Sequence, residues 1–571
     1  MSNRGRTTLL LAAILLLSLG LDLWGNRWGA PARWHGDEMY RDAQRMVQAR
    51  SIDPHRYHYG ELHYYTIALV AVAPVRLYSG SFDPRPAEKG TMADSVWARR
   101  NQVRIMQAAR AVSGIYATLL VGLTCWLGML AFGLGTGLLA AALLAVNPYL
   151  VTIGHFATVD AGADFWYWAA CAAGFQHMKG GRPSWLLVAA LLGGLAIGLK
   201  ADRLVVVAPL LTAFALARPR APVRDVILAG LLIPVGFVLA NPSIITAPFG
   251  YLDGYTRDLW FNALRSPQQY AYLALLRHLQ QGLGWPVIAL VVVGGGYGVI
   301  QLWRTGERPK VLWFAMAFLP YALLLGTSNN KPWYMPMLFP PLLLLGAFGC
   351  TEGLRRLTPA FAGAGWAGVA GVLVLSLYHS VVVVAQFAND ARDAAGRWIV
   401  DHVPPGASVL VAGQGPALPL GRYQVRQPTR MELCAKAVEP RERLERSPRY
   451  RAFRQSLLRL EHWLGAHVGT PVRRKPPYHA WFDWYVEQCG APQTGHPDPD
   501  YVVVVANAWV KDLTREELQA SYRIVKHFEF LHRGGPYLEF VNPPVDIYAR
   551  DATSNPGVRR APVPDDVSNP P

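Results

Sequence analysis

The sequence is poor in charged residues and in cysteine for a chain of its length. Of its 571 residues, 16% are Asp, Glu, Lys or Arg, against roughly 25% in an average soluble protein. Its five cysteines form no Cys-x-x-Cys pair and no Cys/His pattern with metal-ligand spacing, which argues against a cysteine-built metal site. No P-loop and no Gly-x-Gly-x-x-Gly stretch stands beside a predicted strand, so the usual sequence signs of a nucleotide site are missing.

The sequence is instead rich in long apolar runs. Hydrophobic residues make up 52% of the chain, and the runs recur up to about residue 384 and then stop. A run of about 17 to 22 residues is long enough to cross a bilayer as a helix. We therefore predict an α-helical polytopic membrane protein with about eleven transmembrane helices. The predicted spans lie near 8–24, 110–129, 134–150, 162–177, 185–199, 203–217, 226–246, 285–303, 311–327, 333–350 and 362–384.

The net charge of +17 comes mainly from short basic clusters between the apolar runs. Such clusters orient membrane proteins and contact anionic head groups, so nucleic acid is not an expected partner. With the N-terminus inside, the basic loops fall on the cytoplasmic side only if residues 64–78 lie in the interface as a surface helix. Residues 25–109 then form one long external loop, and the domain after residue 384 is external too.

The first apolar run has two interpretations. Arg4 and Arg6 precede it, and Ala30-Pro31-Ala32 resembles the cleavage site of a removable signal peptide. We favour a retained anchor, because the run approaches spanning length and is followed by two tryptophans typical of a membrane interface. Both interpretations place Asp37 on the non-cytoplasmic side.

The residues after the last apolar run predict a small soluble α/β domain over 385–545. Ala391 to Val403 is predicted as an amphipathic helix, and residues 408–411 and 501–505 as buried strands. Two further helices are expected near 449–466 and 514–521. Cys434 and Cys489 fall in this domain, on the oxidising side, where a disulfide between them is one alternative. Residues 546–571 are expected to be a disordered tail.

Ionisable residues recur in the predicted external loops. They are costly at the edge of a bilayer unless paired or solvated, which makes them functional candidates. Candidate catalytic residues are the adjacent carboxylates Asp37 and Glu38, together with Asp160. Candidate substrate contacts are Lys331, Tyr334, His155, Lys200, Arg203 and Tyr64.

Each candidate also has a purely structural interpretation. Lys331 can extend to the head groups, and Lys200 and Arg203 can pair with Asp202 alone. Asp160 can cap the helix that follows, and the Asp37-Glu38 doublet can be an ordinary charge pair at a helix N-terminus. The histidines at 55, 58 and 63 leave a metal site open as a weaker alternative.

Carboxylates and cations on one membrane face suit one kind of chemistry. A carboxylate can take the proton of a hydroxyl or amine acceptor as the acceptor attacks. Lysine and arginine can neutralise a phosphate as it leaves. Together they predict transfer of a group from a phosphate-linked lipid carrier to an acceptor.

Four motifs carry a resemblance over most of residues 8–384. They are His35-Gly36-Asp37-Glu38, the stretch from Arg110 to Gly114 with that from Gly137 to Pro148, Thr158-Val159-Asp160, and Lys331-Pro332-Trp333-Tyr334-Met335-Pro336. In these motifs the chain resembles the GT-C-fold glycosyltransferases of the family 39 type. These are the bacterial relatives of dolichyl-phosphate-mannose protein mannosyltransferases and of the lipid A aminoarabinose transferase.

The resemblance implies roles for the matched residues. Asp37 would be the catalytic base, Glu38 would orient the acceptor or the base, Asp160 would lie in the second catalytic loop, and Lys331 near the carrier phosphate. It also implies a polyprenyl-phosphate sugar donor, and no cofactor is required, although a divalent cation is possible. The chain departs from the pattern at the inner turn 127–133, which lacks arginine, and at residues 415–498, which match nothing and leave the acceptor open.

The expected function is therefore a glycosyltransferase on the extracytoplasmic face of a bacterial plasma membrane. Two alternatives from other classes remain at this stage. A secondary transporter would carry ionisable residues near mid-bilayer and often an internal repeat, and neither is found. A membrane-anchored assembly or binding protein would depend on the 385–545 domain and not on Asp37.

Overall fold

The structure, a computed structural model, describes the greater part of the chain. The described residues are 3–30, 32, 34–57, 59–79, 92–248, 250, 251, 254, 271–327, 331–412, 414–419, 421–426, 452, 455, 459, 499–505, 521–529 and 541–551.

Most of these residues are helical. The helices are α1 (Asn3–Leu23), α2 (Tyr40–Ala49), α3 (Glu61–Ile67), α4 (Ala73–Ser79), α5 (Met92–Phe132), α6 (Leu134–Ala145), α7 (Pro148–Gly154), α8 (Asp160–Gly180), α9 (Pro183–Leu199), α10 (Val207–Leu216), α11 (Val223–Ala240), α12 (Ala271–Ala289), α13 (Gly295–Arg304), α14 (Arg308–Thr327), α15 (Phe339–Arg355), α16 (Pro359–Ala388) and α17 (Ala391–His402). Short 3-10 turns span Ala201–Val206, Pro242–Ile245 and Pro332–Leu338, and π turns span Ala68–Val72 and Leu290–Gly294.

The chain is a helical membrane protein that crosses the bilayer several times. Within the described residues, seven helical segments are long and apolar enough to cross a membrane, or eight if the bent pair α6 and α7 counts as one. The seven are Gly5–Leu23, Arg100–Phe132, Val223–Ala240, Tyr272–Arg304, Arg308–Gly326, Pro332–Arg355 and Pro359–His402.

The predicted count of eleven is not confirmed. The four remaining predicted spans are helical, but each departs from a simple span. α6 and α7 meet at an angle of 63°, because the Asn147 side chain caps α7 and a proline follows it. α8 carries two carboxylates near its start, α9 has only 17 residues, and a 3-10 turn precedes the ten residues of α10.

Residues 61–79 form the helical segment predicted for the interface. α3, the π turn and α4 follow one another, and the apolar part of this segment, Glu61–Val75, is shorter than the candidate spans. Its buried side chains, among them Tyr64 and Ile67, pack with Met39 and Tyr40 beside α2 and with Ile105 and Met106 of α5. The segment therefore joins the start of the first loop to the helical bundle.

The soluble domain contains a five-stranded sheet flanked by α17. Its strands are β1 (Ser408–Ala412), β2 (Gln424–Arg426), β3 (Tyr501–Val505), β4 (Tyr522–Phe528) and β5 (Val545–Arg550), in the order β2-β1-β3-β5-β4. β1 is parallel to β2 and β3, and β5 is antiparallel to β3 and β4. Apolar side chains of α17 pack on β1, β3 and β5.

The predicted helix and both predicted strands of this domain are present. β5 extends beyond the predicted domain boundary at residue 545, so the ordered sheet continues into the segment expected to be a tail. Residues 452, 455 and 459, within one of the two further predicted helices, are helical. Cys434, Cys489 and residues 552–571 lie outside the described residues.

A glycine contact between α9 and α11 yields a stability prediction. A methyl group on Gly236 would clash with the main-chain oxygen of Leu191, whereas one on Gly230 of the same helix would meet open space. We expect Gly236→Ala to destabilise the bundle by about 1–3 kcal/mol through overpacking. The midpoint of thermal unfolding in lipid nanodiscs measures this. Gly230→Ala is the matched control, and equal midpoints for the two variants would contradict the contact.

Candidate functional site

The two adjacent carboxylates of the first loop have different surroundings. Glu38 is fully buried, and Arg110 of α5 donates from Nε to Oε1 at 2.6 Å and from Nη2 to Oε2 at 3.1 Å. The Ala157 amide donates to the same Oε1 at 3.3 Å. Arg110 also donates to the carbonyl oxygens of Asn26 and Trp28. Glu38 is therefore the anchor that ties the first loop to α5.

Asp37 is only half-buried, and its carboxylate has no hydrogen bond or ion pair with any described residue. Its main-chain N–H donates to His35 Nδ1 at 3.3 Å. The His35 ring stacks on Phe156 at 4.4 Å and meets the edge of Trp333 at 6.1 Å between centroids. The packing of His35 between Phe156 and Trp333 therefore fixes the main chain that carries Asp37.

His35 accepts this bond because it is neutral. Burial lowers its pKa below the usual 6.5, and the carboxylates of Asp37 and Glu38 offset the effect only in part. A neutral ring can carry its proton on Nε2, and this tautomer leaves Nδ1 free to accept the hydrogen bond from the Asp37 amide.

Asp160 and Lys200 form the second charged element. Lys200 Nζ lies 2.5 Å from Asp160 Oδ1 and 4.1 Å from the centroid of the Tyr334 ring. Thr158 donates its hydroxyl to the other Asp160 oxygen at 2.9 Å. Burial raises the pKa of Asp160, but Lys200, Arg203 and Thr158 together outweigh burial, and the net pKa is lowered. Burial lowers the pKa of Lys200, but Asp160, Asp202 and Tyr334 together outweigh burial, and the net pKa is raised. The pair is therefore ionised at neutral pH.

Arg203 lies deeper than Lys200 and is fully buried. It donates to Asp164 at 2.6 Å, to Asp202 at 2.8 Å and to the Tyr321 hydroxyl at 2.9 Å. Asp164 follows Asp160 by one turn of α8, so the two ion pairs stack along that helix. Arg203 therefore has three partners within the protein. The structural interpretation of this residue predicted a pair with Asp202, and the structure shows that pair together with one to Asp164.

Lys331 lies at the start of the 3-10 turn 332–338. Its Nζ is 5.9 Å from the Trp333 ring, and that ring is 6.1 Å from Tyr334. Lys331 and Arg277 of α12 both act electrostatically on His278. The sequence analysis missed Arg277 and His278, two basic residues shortly before the run predicted as the span 285–303.

His155 and Tyr64 are both fully buried. The two ring nitrogens of His155 each lie 2.7 Å from a main-chain oxygen, of Val151 and of Trp24, and its ring stacks on Phe387 at 4.3 Å. Tyr64 belongs to the buried cluster between α3 and α5. Both residues were predicted to contact substrate, and both sit in the packing around the first loop.

These contacts link four segments that are distant in sequence. The Asp37 amide donates to His35, and the His35 ring contacts the edge of Trp333. Trp333 precedes Tyr334, whose ring packs against the ammonium group of Lys200. Lys200 then reaches Asp160. One connected set of contacts therefore includes the main chain of Asp37 and the side chains of Asp160, Lys200, Lys331 and Tyr334. The sequence analysis missed His35 and Arg110 as site residues, although both stand in the motifs it singled out.

The histidines of the first loop that left a metal site open do not form a cluster among the described residues. No three His, Cys, Asp or Glu side chains among these residues are grouped so that they could hold an ion. His55 is exposed beside Asp53, His63 is fully buried, and residue 58 lies outside the described residues.

No family model and no curated protein matches this chain. Its structure is similar to that of ArnT from Cupriavidus metallidurans bound to undecaprenyl phosphate, at 13% identity and a TM-score of 0.48, over 96% of this chain and 98% of that one. It is also similar to the oligosaccharyltransferase of Archaeoglobus fulgidus in the apo form, at 14% identity and a TM-score of 0.44, over 70% of this chain and 58% of that one. A third similarity is to the arabinofuranosyltransferase AftD from Mycobacteria, at 14% identity and a TM-score of 0.44, over 96% of this chain and 40% of that one.

The neutral state of His35 predicts a pH effect on stability. Its pKa is depressed in the folded protein, so the unfolded chain takes up a proton below about pH 6.5 while the folded chain does not. Its contribution to stability is complete above that pH and declines as the pH falls towards the folded-state pKa. His35→Asn keeps an acceptor in place of Nδ1 and removes the titration.

Thermal unfolding midpoints measured from about pH 5 to 8 test this expectation. The midpoint of His35→Asn should fall less steeply with acid than that of the native protein. His55→Asn, at an exposed position, is the control and should keep the native slope. A native slope in His35→Asn contradicts the assignment.

Proposed function

We propose that this protein is a glycosyltransferase that moves a sugar from a polyprenyl-phosphate carrier to an acceptor on the extracytoplasmic face of the membrane. The observation that carries the proposal is the half-buried carboxylate of Asp37, next to a set of aromatic rings that also contacts two lysines. The rings are those of His35, Trp333 and Tyr334, and the lysines are Lys200 and Lys331. A proton acceptor and two cations in one connected set are the groups that such a transfer needs. The motif resemblance supports the same conclusion.

Asp37 acts as the general base. Its carboxylate takes the proton from the hydroxyl or amine of the acceptor, whose lone pair forms the new bond to the anomeric carbon. The bond from that carbon to the phosphate oxygen breaks, and its electron pair stays on the departing polyprenyl phosphate. The proton on Asp37 then passes to water. A single carboxylate suffices, because a phosphate leaving group needs no protonation, unlike the alkoxide released in glycoside hydrolysis.

Lys200 and Lys331 stabilise the charge of the departing phosphate. Lys200 is only slightly exposed and is already ionised by its pairing with Asp160. The Tyr334 ring lies against its ammonium group, and the ammonium group of Lys331 lies 5.9 Å from the ring of the neighbouring Trp333. Arg277 and His278 extend the basic surface around Lys331.

The remaining candidates take positioning roles in this proposal. Glu38 is occupied by Arg110 and fixes the loop of Asp37, so it does not orient the acceptor directly. Arg203 holds the Lys200 segment against α8, and Asp160 orients Lys200. His155 and Tyr64 support the packing of the first loop.

The donor is a lipid that reaches the site from within the bilayer. A bacterial plasma membrane, with the soluble domain outside, is the proposed location, following the distribution of basic loops in the sequence. The unmatched residues 415–498 leave the acceptor class open, and the sugar is a hexose or a pentose.

Replacing Asp37 tests the proposal directly. Asp37→Asn keeps the shape of the side chain and removes the base, so we expect transfer from polyprenyl-phosphate sugars to fall about 100- to 10,000-fold. Binding of the donor should persist. The measurement follows loss of radiolabelled sugar from the carrier in nanodiscs. Asp53→Asn is the control, since Asp53 lies in the same loop but bonds to Tyr57.

Retained transfer in Asp37→Asn would remove Asp37 from the mechanism. A native protein that moves the intact lipid or solute across the membrane, without releasing sugar from the carrier, would instead indicate a transporter.

Replacing Lys200 tests the phosphate contact. Lys200→Met is expected to weaken donor binding about 10- to 100-fold, the loss of one charge-assisted contact of about 1.5–3 kcal/mol. The single variant also leaves Asp160 buried without its cation, which destabilises a protein by about 3–5 kcal/mol. The double variant Lys200→Met with Asp160→Asn removes that charge. It should regain native stability but not native donor affinity, and recovery of both would contradict the role of Lys200.

A further inference from the structure

Two tryptophans of the first loop are bound by the soluble domain. Trp28 donates its indole N–H to Asp390 Oδ2 at 2.8 Å, and Trp34 donates to the Gly415 oxygen at 2.8 Å. Each tryptophan is 2% exposed. These contacts join residues that lie 362 and 381 positions apart in the chain.

Arg392, in the first turn of α17, packs on both indoles. Its guanidinium carbon lies 3.7 Å from the centroid of Trp34 and 5.4 Å from that of Trp28. Asp390 holds this guanidinium through two bonds, from Nε at 2.9 Å and from Nη2 at 2.7 Å. Because the ion pair and the rings are buried together, this cation–π contact is stronger than one at an exposed site.

Asp390 makes further hydrogen bonds where the soluble domain contacts the first loop. It accepts the main-chain N–H of Arg392 at 2.9 Å, as the N-cap of α17, and that of Asn542 at 2.7 Å. The Ala391 amide N–H in turn donates to Asn542 Oδ1 at 2.7 Å. The indole of Trp28 therefore meets an acceptor that the domain's own fold keeps in place.

The same loop is held from the membrane side by a second arginine. Arg110, the partner of Glu38, also lies 5.4 Å from the centroid of Trp28. Trp28 is thus flanked by one arginine from α5 and one from the soluble domain. Gly29 has a positive φ of 63°, and a methyl group there would stand 2.7 Å from the Trp34 ring, so the turn depends on glycine.

Trp34 immediately precedes His35, whose Nδ1 accepts the Asp37 amide. A shift of Trp34 therefore moves His35 and with it the carboxylate of Asp37. Displacement of a catalytic group by about 1 Å can cost about 100-fold in rate.

We propose that Arg392 is a positioning residue for the transfer reaction, and that the soluble domain is a structural part of the active site through its contact with Trp34. The proposal rests on the proposed function. Arg392 touches neither substrate nor reacting atoms, and acts by holding Trp34 so that His35 and Asp37 keep their places.

Two variants separate positioning from simple attachment of the domain. Arg392→Ala removes the cation, and Trp34→Leu removes the ring while leaving the buried Arg392–Asp390 pair intact. Arg422→Ala is the matched control, because Arg422 binds the Val400 oxygen and packs on Tyr423 within the same domain. All are studied as full chains in nanodiscs.

The first measurement is hydrogen–deuterium exchange of the main-chain amides. Both test variants should exchange faster at residues 34–39, while α5 and β3 exchange at the native rate, and Arg422→Ala should match the native protein at 34–39. The second is transfer kinetics, in which kcat should fall about 10- to 100-fold with little change in KM for the donor.

Unchanged exchange at residues 34–39 in Trp34→Leu overturns the proposal, whatever the activity. Faster exchange with a native kcat overturns the positioning role as well. If the native protein releases no sugar from any polyprenyl-phosphate donor, the proposed function fails, and the exchange result still reports whether the domain holds the loop.

Discussion

A charged side chain cannot be buried at the edge of a bilayer without a partner, and the candidate site is organised by that constraint. Glu38 has Arg110, Asp160 has Lys200, and Arg203 has Asp164 and Asp202. Except for Arg203 with Asp202, which are neighbours in the chain, each pair joins two segments that are distant in sequence, so the ion pairs hold these segments together. Asp37 stands outside this pattern, because its carboxylate is partly exposed. That difference is the reason why Asp37, and not Glu38 or Asp160, is the proposed base.

The sequence could predict features that depend on neighbouring residues. Apolar runs indicated the helices, and the valine-rich stretch at 501–505 and the helix from residue 391 were predicted with nearly their observed bounds. The number of spans was harder, because apolarity does not reveal the bend that Asn147 and Pro148 impose between α6 and α7. It also does not reveal that the run near 203–217 begins as a 3-10 turn.

The adjacent carboxylates mark the limit of prediction for the site. In sequence, Asp37 and Glu38 are equivalent acids, and only the burial of one against Arg110, 72 positions away, distinguishes them. Lys200 and Arg203 are equally alike, yet one reaches the edge of the site and the other is enclosed by Asp164 and Tyr321. Such distinctions arise from contacts between distant segments, on which a local motif carries no information.

The contact between Trp28 and Asp390 also restricts the topology of the membrane helices. Gly25, just beyond α1, packs on Phe387 at the end of α16, and Trp28 bonds to Asp390 just after it. The C-terminal ends of α1 and α16 therefore lie together, and two membrane-crossing helices that end on the same side run in the same direction. The number of crossings from the first to the second is then odd. Among the described helices, seven spans satisfy this condition and eight do not. Within that set, counting α6 and α7 as one span therefore requires that an odd number of α8, α9 and α10 cross as well.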